Sequence, residues 1–105
     1  MGLAGLGRFA DPAVLILTSL AGGPKHGYGL ILDIEQMAGV RLGPGTLYGA
    51  LARLETRQLI EPLAADERRR PYRLTGTGAA ALAEYLAQAQ RVVQHGLRRL
   101  EALPQ

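Results

Sequence analysis

The chain contains no cysteine and no tryptophan, and only five of its 105 residues are aromatic. Without cysteine, neither a disulfide framework nor a thiolate metal site is possible. The two histidines, His26 and His95, lie far apart and have no carboxylate at a metal-ligand spacing, so we expect no metal and no cofactor. No Ser-His-Asp or paired-carboxylate arrangement stands out, and we therefore expect no enzymatic activity.

Long hydrophobic runs are also missing. The longest strongly apolar run, Ala13–Leu17, is far too short to span a bilayer. The N-terminal letters MGLAGLGRFADP lack the charged start and long apolar stretch of a signal peptide. With 48% hydrophobic and 20% charged residues, the composition is typical of one globular domain. We expect a soluble, cytoplasmic protein with a core of Leu, Ala, Ile and Val.

The net charge of +3 is unevenly distributed along the chain. Between Arg41 and Arg73 lie seven Arg and four acidic residues, whereas the rest of the chain has five basic and five acidic residues. All the excess positive charge therefore lies in one segment, which indicates a polyanionic partner. A solvated surface with chance clustering explains the charge equally well, so charge alone does not decide between them.

The first half of the sequence predicts three helices, because apolar residues recur at helical spacing. Asp11 and Pro12 are typical of a helix start, and Gly39 is a suitable C-terminal cap for the second helix. The predicted helices cover approximately residues 12–21, 27–38 and 44–58.

The third predicted helix has one apolar face and one face of very small residues. Leucines at positions 47, 51 and 54 form the apolar face, which predicts burial. Gly45, Gly49 and Ala52 lie opposite, with Arg53 beside them, although glycine inside a helix is about 1 kcal/mol less favourable than alanine. The small face therefore needs a reason of its own.

The next segment predicts a small β-hairpin. The extended stretches LIEPLAA and RPYRLT are separated by the polar, turn-like DERR. Pro62 and Pro71 restrict both strands to edge-like pairing, so we expect a hairpin that is partly free. In the second strand, Tyr72 and Leu74 should alternate with Arg73, and Leu74 should face the core.

The last helix is predicted from about residue 76 to 102, with Thr75 as its N-cap and a length of nearly 40 Å. Its apolar positions are three or four residues apart, close to a coiled-coil seam. Because the helix is longer than the small body formed by the other elements, a second copy of the chain is its simplest cover. The alternative is packing along the first helix of the same chain. The predicted dimer seam consists of Leu82, Leu86, Ala89, Val93, Leu97 and Leu100.

The predicted fold class is mainly α with a small β-hairpin: a winged helix-turn-helix plus a long C-terminal dimerisation helix. In that plan the third helix enters the major groove and its N-terminal residues reach the bases. We expect residues 1–75 to form the DNA-binding domain and residues 76–105 the dimerisation helix, in one compact unit.

Three segments resemble the PadR family of bacterial transcriptional regulators: HGYGLILDI, GTLYGALARLETRQLIEP and RPYRLTGTG. The resemblance covers about Ala13 to Leu86. It implies a winged-helix dimer, usually a repressor, that dimerises through its C-terminal helix, and the single last helix is similar to the shorter branch of the family. It also implies a small hydrophobic or phenolic effector. Some members line their pocket with tryptophans, and these have no counterpart here.

A DNA interface accounts for the small face of the third helix, because small residues let a helix sit deep in a groove about 12 Å wide. Thr46 and Tyr48 are placed to hydrogen-bond phosphates or base edges, and packing of Tyr48 at the core edge is the alternative. The predicted hairpin is the wing of this fold, and arginines at its tip suit phosphates or a narrow minor groove. The predicted DNA-binding residues are Gly45, Thr46, Tyr48, Gly49, Arg53, Arg57, Arg68, Arg69, Arg70 and Arg73.

The sequence thus predicts a homodimeric, sequence-specific transcriptional regulator that represses by covering a pseudo-palindromic operator, with half-sites roughly 34 to 36 Å apart. An effector relieves repression only if it binds two dimer states with different affinity. Two alternatives stay open: a winged-helix protein interaction module, and a ligand-binding dimer without a specific operator. The concentration of charge between residues 41 and 73 favours DNA over both.

Overall fold

The structure is a computed structural model that describes residues 11–104. Within that range the chain forms four helices and a three-stranded antiparallel sheet, which confirms the predicted fold class. The helices are α1 (Pro12–Ala21), α2 (Gly27–Ala38), α3 (Pro44–Thr56) and α4 (Gly76–Glu101). The strands are β1 (Lys25–His26), β2 (Ile60–Pro62) and β3 (Pro71–Leu74).

The predicted helix caps are present. The Asp11 Oδ1 accepts the Ala13 N–H at 2.8 Å at the start of α1, and the Thr75 Oγ1 accepts the Gly78 N–H at 2.9 Å at the start of α4. At the end of α2, Gly39 has a φ of 69°, in the left-handed region that glycine adopts without strain. Local capping chemistry therefore sets these boundaries.

The C-terminal end of α3 comes two residues earlier than predicted. Gln58 takes a φ of 60°, its N–H donates to the Glu55 carbonyl at 2.9 Å, and the Leu59 N–H donates to the Leu54 carbonyl at 3.0 Å. These bonds form a Schellman motif, which normally has glycine at the left-handed position. Because glutamine stands there, the sequence gives no sign of the helix end.

The hydrophobic core lies where α1, α2 and α3 meet, and the sheet and the start of α4 close it. A polar contact ties two of these helices together: the Ser19 hydroxyl of α1 donates to Asp33 Oδ2 of α2 at 2.5 Å. The Lys25 ammonium group donates to the Ser19 carbonyl at 2.5 Å and lies 3.9 Å from the same carboxylate. The largest fully buried side chains are Ile16, Leu30, Ile34, Leu47, Leu51 and Ile60.

The sheet has the order β1-β3-β2, so the prediction of edge-like pairing for the second hairpin strand is wrong. β3 pairs with β2 on one side and with β1 on the other, and Pro71 lies opposite His26. A proline is tolerated here because it is the first residue of the strand and takes part through its carbonyl, which accepts the Leu63 N–H at 2.9 Å. The pairing attaches the wing to the segment before α2.

Only the first turns of α4 pack on this body. Leu82, predicted as a dimer-seam residue, is instead buried in the core of its own chain, so the free apolar face begins at Leu86. The Cα radius of gyration is 16.0 Å and the longest dimension is 59 Å, whereas a compact chain of 100 residues has a radius near ~13 Å. The rest of α4 projects from the body.

Packing along α1 was the alternative to a dimer, but α1 does not cover the apolar face of the rest of α4. Six large apolar side chains in the last part of the described chain are between 43% and 72% exposed. They are Leu86, Val92, Val93, Leu97, Leu100 and Leu103.

We expect Gly78→Ala to lower the free energy of unfolding by about 1 to 3 kcal/mol. A Cβ atom at Gly78 would overlap the Leu59 carbonyl group and lie 2.9 Å from Leu74 Cδ1, and the Leu59 backbone cannot rotate away. Gly76→Ala is the matched control, because a Cβ atom there meets nothing within 4 Å. Chemical denaturation measures both variants, and a Gly78→Ala midpoint equal to that of the wild type would contradict this close approach.

Candidate nucleic-acid interface

The outer face of α3 is the first part of the candidate surface. Burial of the leucine face on the core turns the opposite face outward, and Gly45, Thr46, Ala52 and Arg53 are exposed there. Gly49 is half-buried beside them. The structure therefore brings the predicted helix residues onto one smooth, accessible strip.

No contact within the described chain explains the two glycines of this strip. A Cβ atom at Gly45 would meet nothing within 4 Å, and one at Gly49 would meet only Arg53 Nη1, at an ordinary 3.6 Å. By contrast, glycine at position 27 makes room for Tyr48, whose Cζ would lie 2.9 Å from a Cβ atom there. The low surface of α3 is thus not required by internal packing.

The wing tip is the second part of the surface. Asp66 and Arg69 exchange backbone hydrogen bonds of 2.8 and 2.9 Å, which close a tight turn with Glu67 at a φ of 58°. Arg68, Arg69 and Arg70 are all exposed on or beside this turn. The ion pairs of residues 11–104 are Lys25–Asp33, Arg41–Glu35 and Arg73–Glu61, so no carboxylate within the described chain neutralises the wing-tip arginines.

A cleft of about 310 Å³ lies between the start of α2, α3 and the wing tip. Tyr48 is 53% exposed, and its ring packs on Gly27 while it lines this cleft, so it both lies at the core edge and faces solvent. Tyr72 lines the same cleft, and burial, followed by the negative charge of Glu55, raises the pKa of its phenol above the ordinary value. The Tyr72 hydroxyl therefore keeps its proton and remains a hydrogen-bond donor.

The structure does not bring every predicted residue to this surface. Arg73 points away from it, because its strand neighbours Tyr72 and Leu74 pack against the core, and Arg73 pairs across the sheet with Glu61, Nε to Oε1 at 2.9 Å. Arg73 therefore lies apart from the helix strip and the wing tip, and its role in DNA binding stays a prediction. Arg57 caps the far end of α3, about 18 Å along the helix from Gly45.

His26 is the residue of this surface that sequence reasoning missed. It belongs to β1, caps α2, and its Nε2 atom lies 3.3 Å from Arg69 Nη1. A two-residue strand has no periodicity to reveal it, and histidine is an uncommon N-cap residue. The one available signal in the sequence was the Lys25-His26 dipeptide, which directly precedes the second predicted helix.

An exposed helix of small residues beside a basic wing is the arrangement of a winged helix-turn-helix DNA-binding protein. Residues 16–84, well over half of the chain, match the model of the Transcriptional regulator PadR-like family. The chain therefore belongs to the PadR-like family, whose members are transcriptional regulators and not enzymes. The resemblance seen in the sequence is confirmed.

Solved structures agree with this assignment. A PadR family transcription regulator from Clostridium difficile is similar with a TM-score of 0.73 and 26% identity, covering 89% of this chain and 100% of that one. A PadR family transcriptional regulator from Eggerthella lenta has a TM-score of 0.68 and 29% identity, covering 88% of this chain and 82% of that one. Both pairs share the winged-helix body and the long last helix.

An uncharacterized 37.1 kDa protein of transposon TN4556 from Streptomyces fradiae is 53% identical over 75 residues. The match covers 71% of this chain but 22% of that protein, so the chain spans about a fifth of the length of this relative. Within residues 11–104, no helix combines the length and the apolar character needed to cross a membrane.

We expect Gly45→Ala and Gly49→Ala to weaken DNA binding at least about tenfold, because a methyl group holds the helix backbone away from the groove. The same substitutions should leave the fold intact, and Gly49→Ala should stabilise it by up to about 1 kcal/mol. Gly76→Ala, also a first-turn glycine in open space, is the control for Gly45→Ala and should bind as the wild type does. DNA affinity that does not change in either α3 variant would contradict the role assigned to this strip.

Proposed function

We propose that this PadR-like chain is a homodimeric, sequence-specific repressor that binds double-stranded DNA through α3 and the wing. The observation that carries the proposal is the outer strip of α3. Its surface is low at Gly45 and Gly49, although no contact within the described chain requires a glycine there. In this proposal Thr46, near the start of α3, contacts base edges, and Arg53 contacts phosphates together with the wing arginines. Repression is steric, since the dimer covers promoter DNA.

The proposed dimer uses the free part of α4. An apolar groove of about 350 Å³ runs between α4, α1 and the end of α2, and Val14, Met37, Tyr85 and Val93 are among its lining residues. The exposed apolar face continues the groove along α4 to Leu103. A second copy of the chain supplies an equal apolar face, and a two-fold axis lets each copy cover the other. Residues 1–75 then form the DNA-binding domain and residues 76–105 the dimerisation helix.

The same groove is the proposed place for a small hydrophobic effector. Its lining is almost entirely apolar, and it lies beside the helix that sets the distance between the two recognition helices. A ligand that fits only one of two dimer arrangements shifts the population toward that arrangement and thereby changes DNA affinity.

The first experiment compares binding of the purified protein to the DNA just upstream of its own gene and to a scrambled duplex, at two salt concentrations. Preference for the upstream DNA that survives at the higher salt supports a sequence-specific regulator. Equal, salt-sensitive binding to both duplexes would contradict an operator in this DNA and favour the interaction-module or ligand-binding alternatives.

Replacing Arg68, Arg69 and Arg70 with Ala should weaken binding to every duplex and lower the salt slope by up to about 2.7, because each neutralised phosphate contributes roughly 0.9. The control removes the same charge from exposed positions on α4, far from the wing, with Arg91, Arg98 and Arg99 changed to Ala. The control should retain the wild-type slope. An equal fall in both variants would mean that net charge, and not the wing, determines binding.

Leu97→Glu should convert the dimer into single chains of 11.2 kDa, measured by light scattering. The side chain is exposed in the single chain, so a carboxylate there disturbs only the proposed interface. Gln88→Glu introduces the same group on the opposite side of α4 and should remain dimeric. A Leu97→Glu protein with the mass of two chains would exclude this seam.

A further inference from the structure

One ring nitrogen of His26 is committed to the start of α2. Nδ1 accepts the backbone N–H of Gly29 at 3.3 Å, in the role of an N-cap. A backbone amide can only donate, so Nδ1 has a lone pair and no hydrogen. In the neutral ring the hydrogen is then on Nε2, and that atom is a donor.

The Nε2 donor of His26 faces a second donor. Nη1 of Arg69 lies 3.3 Å away, and a guanidinium group has no acceptor atoms. The two groups therefore do not bond to each other. Pairing of β1 with β3 holds them together, because His26 lies opposite Pro71, close to the wing tip. Two donors fixed side by side are satisfied by one acceptor that accepts from both.

The cleft that His26 and Arg69 share is lined by donors. Arg68 and Arg70 add two more guanidinium groups, and Tyr28, Tyr48 and Tyr72 add hydroxyls. No carboxylate lines this cleft, but His26 and Arg69 also line a neighbouring cleft together with Asp66 and Glu67. Neither acidic side chain forms an ion pair with Arg69 in the described residues. Water can satisfy these exposed donors in the free protein, but three guanidinium groups beside the His26 donor favour an anion, and about 310 Å³ is ample for a tetrahedral oxyanion.

We propose that His26 and Arg69 together bind one phosphate of the DNA backbone, with His26 Nε2–H and the Arg69 guanidinium donating to its oxygens. This inference rests on the proposed DNA-binding function and adds a residue and a defined ligand group to its surface. Because His26 caps α2 and Arg69 belongs to the wing tip, the shared phosphate fixes the wing relative to the helix-turn-helix on DNA.

His26→Asn separates the two roles of the histidine. An asparagine Oδ1 occupies nearly the position of Nδ1 and remains a good N-cap acceptor, but nothing replaces Nε2–H. We expect about tenfold weaker DNA binding with an unchanged salt slope, since a neutral donor releases no counterion. Arg69→Ala should also weaken binding and should lower the slope by about 0.9. The double variant should lose less affinity than the product of the two single losses, because both side chains hold the same phosphate and their effects are coupled.

Three results would overturn the inference. The first is a DNA affinity of His26→Asn within about twofold of the wild type. The second is a double variant whose loss of affinity equals the product of the two single losses. The third is a salt slope of His26→Asn below that of the wild type. If His26→Asn unfolds at a lower temperature than the wild type, a second measurement replaces this variant. Ethylation interference then identifies the DNA phosphates that the wild type and Arg69→Ala contact. The Arg69→Ala footprint should then show one phosphate contact weaker or absent compared with the wild-type footprint, and identical footprints would refute the contact shared by His26 and Arg69.

Inorganic phosphate is a second source of the same oxyanion, and NMR of the His26 ring nitrogens distinguishes the two. In the free protein the neutral ring should be the Nε2–H tautomer, and an Nδ1–H tautomer would contradict the argument. DNA should shift these resonances at far lower concentration than inorganic phosphate does, whereas saturation by dilute phosphate would exclude DNA as the intended ligand. If the wild-type protein binds no duplex, the proposed function itself is refuted. If the wild type and His26→Asn bind DNA equally well, only this inference is refuted.

Discussion

The burial of one face of α3 is the constraint on which the rest of the structure depends. Leu47, Leu51 and Leu54 lie in the core against α1 and α2, and a helix is rigid enough that burying one face fixes the other. The strip at Gly45 and Gly49 is exposed as a direct consequence. The same packing places the end of α3 where its closing turn leads into β2, so the wing begins at a set distance from the helix.

Pairing of β1 with β3 is the second constraint, and it joins the wing to the helix-turn-helix. Backbone hydrogen bonds each contribute only about 0.5 to 1.5 kcal/mol, so two paired positions do not hold by themselves. Packing of Tyr72 and Leu74 against the core supplies the rest. One small sheet thereby gathers Tyr48, His26 and the wing-tip arginines around a single cleft.

Two surfaces of this chain have residues that are unfavourable where they stand, and no contact within the described residues accounts for them. The outer face of α3 has glycines that no internal contact needs, and α4 exposes large apolar side chains such as Leu100. Gly78 differs, because the Leu59 backbone occupies the space that its side chain would take. Where internal packing explains a small residue, the reason is structural. Where it does not, the residue belongs to a surface that another molecule can cover, and the proposed partners are DNA for α3 and a second copy for α4.

The sequence by itself determined the order of the four helices and the hairpin, but not β1. It also determined the starts of α1, α3 and α4 and the two faces of α3, because helical periodicity and capping are local properties. Only the tertiary structure decided that β3 is a central strand, that Leu82 belongs to the core of its own chain, and that Glu61 neutralises Arg73. It also brought His26 to Arg69, 43 residues later in the chain. Contacts of this kind depend on how distant segments pair and pack, and no local pattern of residues encodes that pairing.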